Sequence, residues 1–440
     1  MLWIAVESSV TGSLLLEMNM RRCFSVLMLA VFLAAPANSV GAAPLAERYL
    51  LEGDLTGGEK AIQERLKAVP QDDEARFGLG MVQFLQSWEH LGTTLYKYGA
   101  RTDRLRFGGF AGGQWSAIPG APDANPTPQR ISHEAFREIV KTFVADINRA
   151  EGTLAEVKDA NVKLPLAVGL IKVDLFGRKK PISAAMMLQS PEFGSLPPEQ
   201  VAGFVIAFDR GDAVWLRGYC HLLAAWGEVL LAVDTKEWLQ RCGHLIFRDV
   251  ETPHDFLRDY GADEENIWGN GNWRFISDAI SWLHLSLRLP MQEPERMKTA
   301  LAHLQSTLAC SQEMWTHFQA ETDDDREWIP NPKQSGVVGV PVTQEMVDLW
   351  LETVEEAKLV LEGKKLIPFW RGKEPDRGVN LRRVFTEPRE IDIILWVQGT
   401  AATPYLEKGE ITKFANPQSI NRLNRTFGGV GFPTFAFWFN

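Results

Sequence analysis

The 440-residue chain predicts a mainly α protein, a multi-helix array or bundle with a small mixed α/β or β module at its C-terminal end. Three observations predict it. Apolar residues recur at helical spacing through most of residues 43–361. The most apolar of these segments, 212–234, carries Trp215, Tyr219, Leu222, Trp226, Val229 and Val233 on one stripe and Leu216, Cys220, Leu223 and Leu230 on a second, a pattern expected of a helix buried among helices. After residue 365 the texture changes to short β-favouring runs separated by Gly, Pro and Asn. With 45% hydrophobic and 23% charged residues the composition is globular, and the length allows two or three domains.

Residues 1–42 read as a signal peptide. Arg21 and Arg22 precede an apolar run from Phe24 to Ala35, and small residues follow up to Ala42. The run is short for a membrane span, and no later stretch is long enough without charges, so no membrane span is expected. The pair Arg21-Arg22 partly resembles a twin-arginine signal but lacks the downstream Lys, which leaves the general secretory route as the expectation. Location follows as periplasmic or extracellular. A formal net charge of −10 without a basic face excludes broad nucleic-acid binding.

Residues 43–98 predict a helical hairpin and the start of another. Leu45 and Tyr49 fall on a first helix, Gly53 in the turn, Ile62 on a second helix and Pro70 at the repeat end, and Leu79-Gly80 stand one 34-residue step beyond Leu45-Ala46. Over about residues 44–85 this pattern resembles a tetratricopeptide repeat. The resemblance implies helix–turn–helix packing and a protein-binding groove, with one repeat capping a larger helical body.

A Gly/Pro-rich loop occupies 99–130, followed by a central helical domain over 131–320. Ser132 caps a helix whose buried side is Phe136, Ile139, Val140, Phe143 and Ile147. Its His133-Glu134 is no zinc-protease signature, because Arg137 stands where a second His is required. Residues 164–176 read as a short strand or an extended crossing. Within them Asp174-Leu-Phe-Gly177 resembles the opening of a calcium loop, but the following Arg178-Lys179-Lys180 places cations where carboxylates are needed. Residues 201–208 read as a helix and Asp212 as the cap of the long helix that follows, with 236–247 returning as its partner. In 274–288, Phe275, Ile276, Ala279, Ile280, Leu283 and Leu287 form an apolar side opposite Arg274, Asp278, Ser281, His284 and Arg288.

Along 212–234 a narrow row of Arg217, His221 and Glu228 interrupts the apolar surface, about 100° per residue placing the three on one side. Buried charges require opposite charges or hydrogen bonds, and the polar side of 274–288 is the best available partner. The candidate binding cluster is therefore Arg217, His221, Glu228, Asp278 and His284, either a polar pocket or a helix–helix seam. Cys220, Cys242 and Cys310 read as buried free thiols, since helical spacing separates Cys220 and Cys242. On the helix starting at Pro294, His303, Cys310 and His317 recur every seven residues; that step rises about 10.5 Å, so they mark a packing seam rather than one metal site.

Residues 321–342 read as an acidic, Pro/Gly-rich linker, and 343–440 as a Thr343-capped helix ended by Gly363 plus the C-terminal module, with short β runs at 366–370, 379–385, 391–397 and 432–439. P-loop, dinucleotide, nucleophile-elbow, Cys-x-x-Cys and His-Glu-x-x-His motifs are all missing, which lowers the expectation of an enzyme and leaves no cofactor or metal implied. The functional expectation is an exported helical-repeat-like scaffold that binds a protein partner or cell-envelope component. The alternative is an exported enzyme or small-ligand-binding protein with a polar pocket between the central helices.

Overall fold

The computed structural model describes residues 43–101, 125–178, 180–183, 203–257, 273–337, 339, 341–372, 374, 376–415, 417–427, 432, 435 and 436. The signal-peptide reading, the interior of the glycine-rich loop, residues 201 and 202, the polar turn before 273 and most of the aromatic tail lie outside the described residues. Within them the chain is mainly helical, with twelve α-helices and nine short strands in antiparallel pairs.

Helices α1 (Leu45–Glu52), α2 (Leu55–Ala68) and α3 (Asp73–Lys97) open the fold. Gly53, at φ 76°, ends α1 in the left-handed region that a residue without Cβ adopts most easily. Asp54 and Asp72 then cap the next two helices by accepting from the Gly57 and Ala75 amides. Helix α4 (His133–Ala155) is capped by Ser132, which accepts from Ala135 at 3.1 Å. The strand β1 (Lys163–Leu166) pairs with β4 (Ile206–Asp209), and β2 (Lys172–Val173) with β3 (Ile182–Ser183). Ile206–Asp209 is thus a strand where a helix was expected over 201–208; three apolar residues in a row carry no period of their own, and pairing with β1 decides the conformation.

Helix α5 (Arg210–Ala232) is the centre of the molecule. Two glycines let neighbours approach it closely. A Cβ on Gly211 would stand 2.3 Å from the Phe318 ring of α8 (Glu295–Ala320), and one on Gly227 2.3 Å from a Val144 methyl of α4. One apolar core joins α1 to α5 with β1 and β4. A second joins α5 and α8 to α9 (Gln344–Leu361), capped by Thr343, and to Leu423, Phe427 and Phe435.

Three expectations about the centre change. Asp209, not Asp212, caps α5. The main neighbours of α5 are α8 and α4 rather than the short α6 (Lys236–Cys242), and Trp226 and Leu230 face outward. Among the described residues helix α7 (Trp273–Ser286) packs chiefly on α6, and Ile276, Ile280 and Leu283 on its apolar side are exposed.

The acidic stretch 321–342 is folded against the helices: Glu327 and Ile329 are buried, and Asn331 donates to the Phe318 carbonyl at 2.8 Å. Strand β5 (Arg288–Leu289) pairs with β8 (Ile391–Asp392). A three-stranded sheet orders β6 (Ile367–Pro368), β7 (Arg377–Val379) and β9 (Leu406–Lys408). Between them, residues expected as strands form short helices α10 (Leu381–Thr386) and α11 (Ile393–Gln398), because Asn380 and Asp392 accept from the Arg383 and Leu395 amides and start a turn of helix. Helix α12 (Pro417–Thr426) completes the described chain. Among the described residues no helix is long and apolar enough to cross a membrane.

Candidate functional site

Helix α5 carries two groups of charged residues whose surroundings differ. The first is the row identified from the sequence. Arg217 donates from Nε to Glu151 of α4 at 3.1 Å and stands 3.6 Å from Glu313 of α8. His221 lies 3.4 Å from the same Glu151, and its Nδ1 is 3.0 Å from Nδ1 of His303 on α8. Arg296 donates to Glu228 at 2.8 Å and to Glu293 at 2.6 Å, while Arg137 of α4 bridges Glu293 and the Leu231 carbonyl. At the other end Arg210 donates to Glu313 at 3.0 Å.

These contacts form a ladder in which every member has an opposite charge or a hydrogen-bond partner. Burial alone would raise the Glu151 carboxyl, but hydrogen bonds and charge from His221 and Arg217 outweigh it and hold the group below its usual value. Burial, reinforced by His221, pushes His303 down. With two Nδ1 atoms facing one another, one ring donates and the other accepts, so at least one imidazole is neutral.

The structure brings Arg217, His221 and Glu228 onto one face and separates them from Asp278 and His284. Their partners come from α4 and α8, not from α7. Asp278 instead lies 3.3 Å from His244, and His284 is exposed. Cys220, Cys242 and Cys310 are buried and free, and burial raises all three thiols, Cys242 and Cys310 to about 11. His303 faces His221, Cys310 lies in the second core, and His317, partly exposed, stands 3.9 Å from Glu313.

The second group stands at the N-terminal end of α5 and was not visible as a unit in the sequence. Asp209 accepts through Oδ1 from Gly211 at 2.7 Å and Asp212 at 3.2 Å, and Asp212 answers through Oδ2 from the Asp209 amide at 3.1 Å, a reciprocal capping box. The other oxygens, Asp209 Oδ2 and Asp212 Oδ1, are buried and accept from no N–H donor, the Glu321 carboxyl being the group against Asp209; the residues are 4% and 2% exposed. Glu321, which ends α8, and Glu327, 1% exposed, complete the group. Asp209, Glu321 and Glu327 each offer a carboxylate oxygen, all within 4.8 Å of one another.

Burial, with the charge of Asp209, pushes the Glu321 carboxyl up to about 9 and that of Glu327 up to about 8; Asp212 is raised by the same causes. Lys163 is cross-strand from Asp209, yet its ammonium is held by Asp323 at 2.9 Å and Asp325 at 3.1 Å. Arg326 adopts φ 85°, outside the usual range for a residue with a side chain, in the turn that delivers Glu327. Chemically, this is an all-oxygen, acidic site that shares protons or takes a cation. The one sequence signal for it was the density of carboxylates in 321–327 together with Asp209 and Asp212.

No protein-family model, curated protein or solved structure matches this chain.

Proposed function

We infer that this is an exported helical scaffold that docks an apolar segment of a partner protein, and that α11 with the cleft beside it is the docking surface. The observation that carries the reading is a cleft of 420 Å³ lined by Met291, Met297, Val384, Ile391, Leu395 and Trp396. Leu395 also belongs to the exposed surface of α11, where Ile393 and Ile394 face solvent with it and Val397 is 72% exposed. An apolar cleft opening onto an apolar face is the usual setting for an anchoring side chain. Two methionines suit it to adapt to that anchor.

The surface is built to stay in place. Trp396 stacks on Tyr405 with ring centroids 5.9 Å apart, Trp370 donates to the Val397 carbonyl at 3.2 Å, and β8 ties the start of α11 to β5. Held this way, the face loses little freedom on binding. Charges of both signs border the cleft at Arg389, Glu390 and Asp392, and the whole chain is acidic. Both features favour a protein over an anionic lipid surface. The closed ladder along α5 supports a structural role for Arg217, His221 and Glu228, which removes the main support for a catalytic pocket there. Export rests on the pattern of residues 21–42, and the helical hairpin α1–α2 is compatible with the repeat resemblance.

The test replaces Val397 with a photoreactive phenylalanine analogue, with the same analogue at exposed Arg48 of α1 as control, and irradiates the protein in its own envelope fraction. One cross-linked protein at position 397, absent at position 48 and lost when Ile394→Lys is added, is expected. Cross-links to lipid or only to a second copy of the chain, or none, overturn the reading.

A further inference from the structure

We propose that Asp209, Asp212, Glu321 and Glu327 form a binding site for one hard divalent cation of the calcium–magnesium class. The site uses none of the residues of the docking surface, so each proposal fails or stands alone. Two observations meet here. Three carboxylates from two distant segments, Asp209 from one and Glu321 and Glu327 from the other, converge within 4.8 Å. Asp209 Oδ2, on a member of that group, and Asp212 Oδ1, on the first turn of α5 beside it, are buried and accept no hydrogen bond from an N–H donor, and the charges acting on Asp212 are those of Asp209, Glu321 and Glu327.

The geometry fits an ion. Calcium–oxygen distances of about 2.3–2.6 Å let two ligands on opposite sides of one ion stand roughly 5 Å apart, so oxygens within 4.8 Å can share it without a large movement. Donor chemistry points the same way, since an all-carboxylate set selects hard cations over zinc or copper. Among the described residues no Lys, Arg or His forms an ion pair with any of the four; Lys163, the closest candidate, is paired with Asp323 and Asp325 and acts on Asp209 and Glu327 only through space.

Helix dipoles act in both directions. The N-terminal end of α5 disfavours a cation, but its first amides are already answered by Asp209, while Glu321 marks the C-terminal end of α8, where carbonyls favour one. Joining the start of α5, the end of α8 and the turn at Glu327, a cation would clamp the second core where it is crossed by irregular backbone.

The purified full chain, stripped with chelator and dialysed, is titrated calorimetrically with CaCl2, MgCl2 and MnCl2 in separate arms, and its Tm is followed with each. One ion per chain is expected to bind, and a hundredfold excess over Kd to raise Tm by about 3 °C. Glu321→Gln and Glu327→Gln should each weaken binding at least about tenfold, whereas exposed Glu237→Gln on α6 should not. The magnesium and calcium arms separate the two ions. Absence of binding in all three arms, or equal binding by the wild type and both Gln variants, overturns the site. If either Gln variant fails to fold in chelator, Asp212→Asn replaces it.

Discussion

The ladder along the middle of α5 and the carboxylate group at its start both bring charged side chains into the interior, a helix turn or two apart, but the first mixes both signs and the second is all acid. They differ in whether each charge has an opposite within reach. In the ladder, Glu151 serves Arg217 and His221, Glu228 serves Arg296, and Glu313 serves Arg210. At the helix start three acids converge within 4.8 Å with Asp212 beside them, and Lys163, whose charge acts on Asp209 and Glu327 through space, makes its ion pairs with Asp323 and Asp325 instead. Buried charge stabilises where it is paired and hydrogen-bonded and opposes folding where it is not. The first arrangement therefore explains how α4, α5 and α8 are held in register, and the second calls for protons or a cation.

The largest expected effect breaks the ladder. Glu151→Ala removes the 3.1 Å acceptor of Arg217 and the nearest carboxylate to His221, leaving Arg217 with Glu313 at 3.6 Å. A loss of about 3 kcal/mol in unfolding free energy is expected from stranding a partly buried charge, measured by urea denaturation at neutral pH. Glu151→Gln, which keeps an acceptor oxygen, should lose less. If the Ala variant is as stable as the wild type, the ladder is not holding the helices together.

A smaller effect of opposite sign is expected at the helix start. In chelator, Glu327→Gln takes one acid out of a like-charged buried group and retains an oxygen for the Asp325 amide, which donates at 3.1 Å. Stability should be unchanged or raised by up to about 1 kcal/mol, checked by the same denaturation. A clear loss in chelator would mean that Glu327 is satisfied as it stands, and the contrast between the two groups would collapse.

Local periodicity made part of this arrangement legible. Ser132 and Thr343 cap their helices, Gly53 and Gly363 follow helix ends at positive φ, and Arg217, His221 and Glu228 recur along one helix, because each of these depends on residues within about three turns. The partners of the row were not legible: Glu151 is 66 residues from Arg217, and His303 is 82 from His221. Choosing α7 as partner followed from its polar side alone, and no local signal distinguishes it from α4 or α8. Asp209 was hidden by a strand that looked like a helix, and Glu321 and Glu327 by an acidic composition that resembles a linker until β4, α5 and α8 bring them together. Short α10 and α11 were hidden by β-favouring residues, although Asn380 and Asp392 were the signals that start them.

The smallest effect is a pH slope that separates the two groups by sign. His303, facing His221, Glu228 and Glu151, is held below its usual value of 6.5 first by burial and then by His221. The folded chain therefore binds fewer protons there than the unfolded chain. This contribution to stability is present above pH 6.5 and is lost as pH falls through the lowered folded value. Glu151, also lowered, adds a loss below its usual 4.5. Glu321 and Glu327, raised to about 9 and 8, act oppositely: their contribution is present below 4.5 and is lost as pH rises toward those values. The wild-type slope between pH 7 and 5 mixes the two, so the informative quantity is the difference from His303→Gln, which keeps a polar group opposite His221 but does not titrate. Measured in chelator by urea denaturation, the wild type should lose up to about 1 kcal/mol more than the variant on going from pH 7 to pH 5. Parallel profiles would show that the imidazole pair does not change its proton count on folding, and the ladder would then owe its stability to Arg217, Glu151, Glu228 and Arg296 alone.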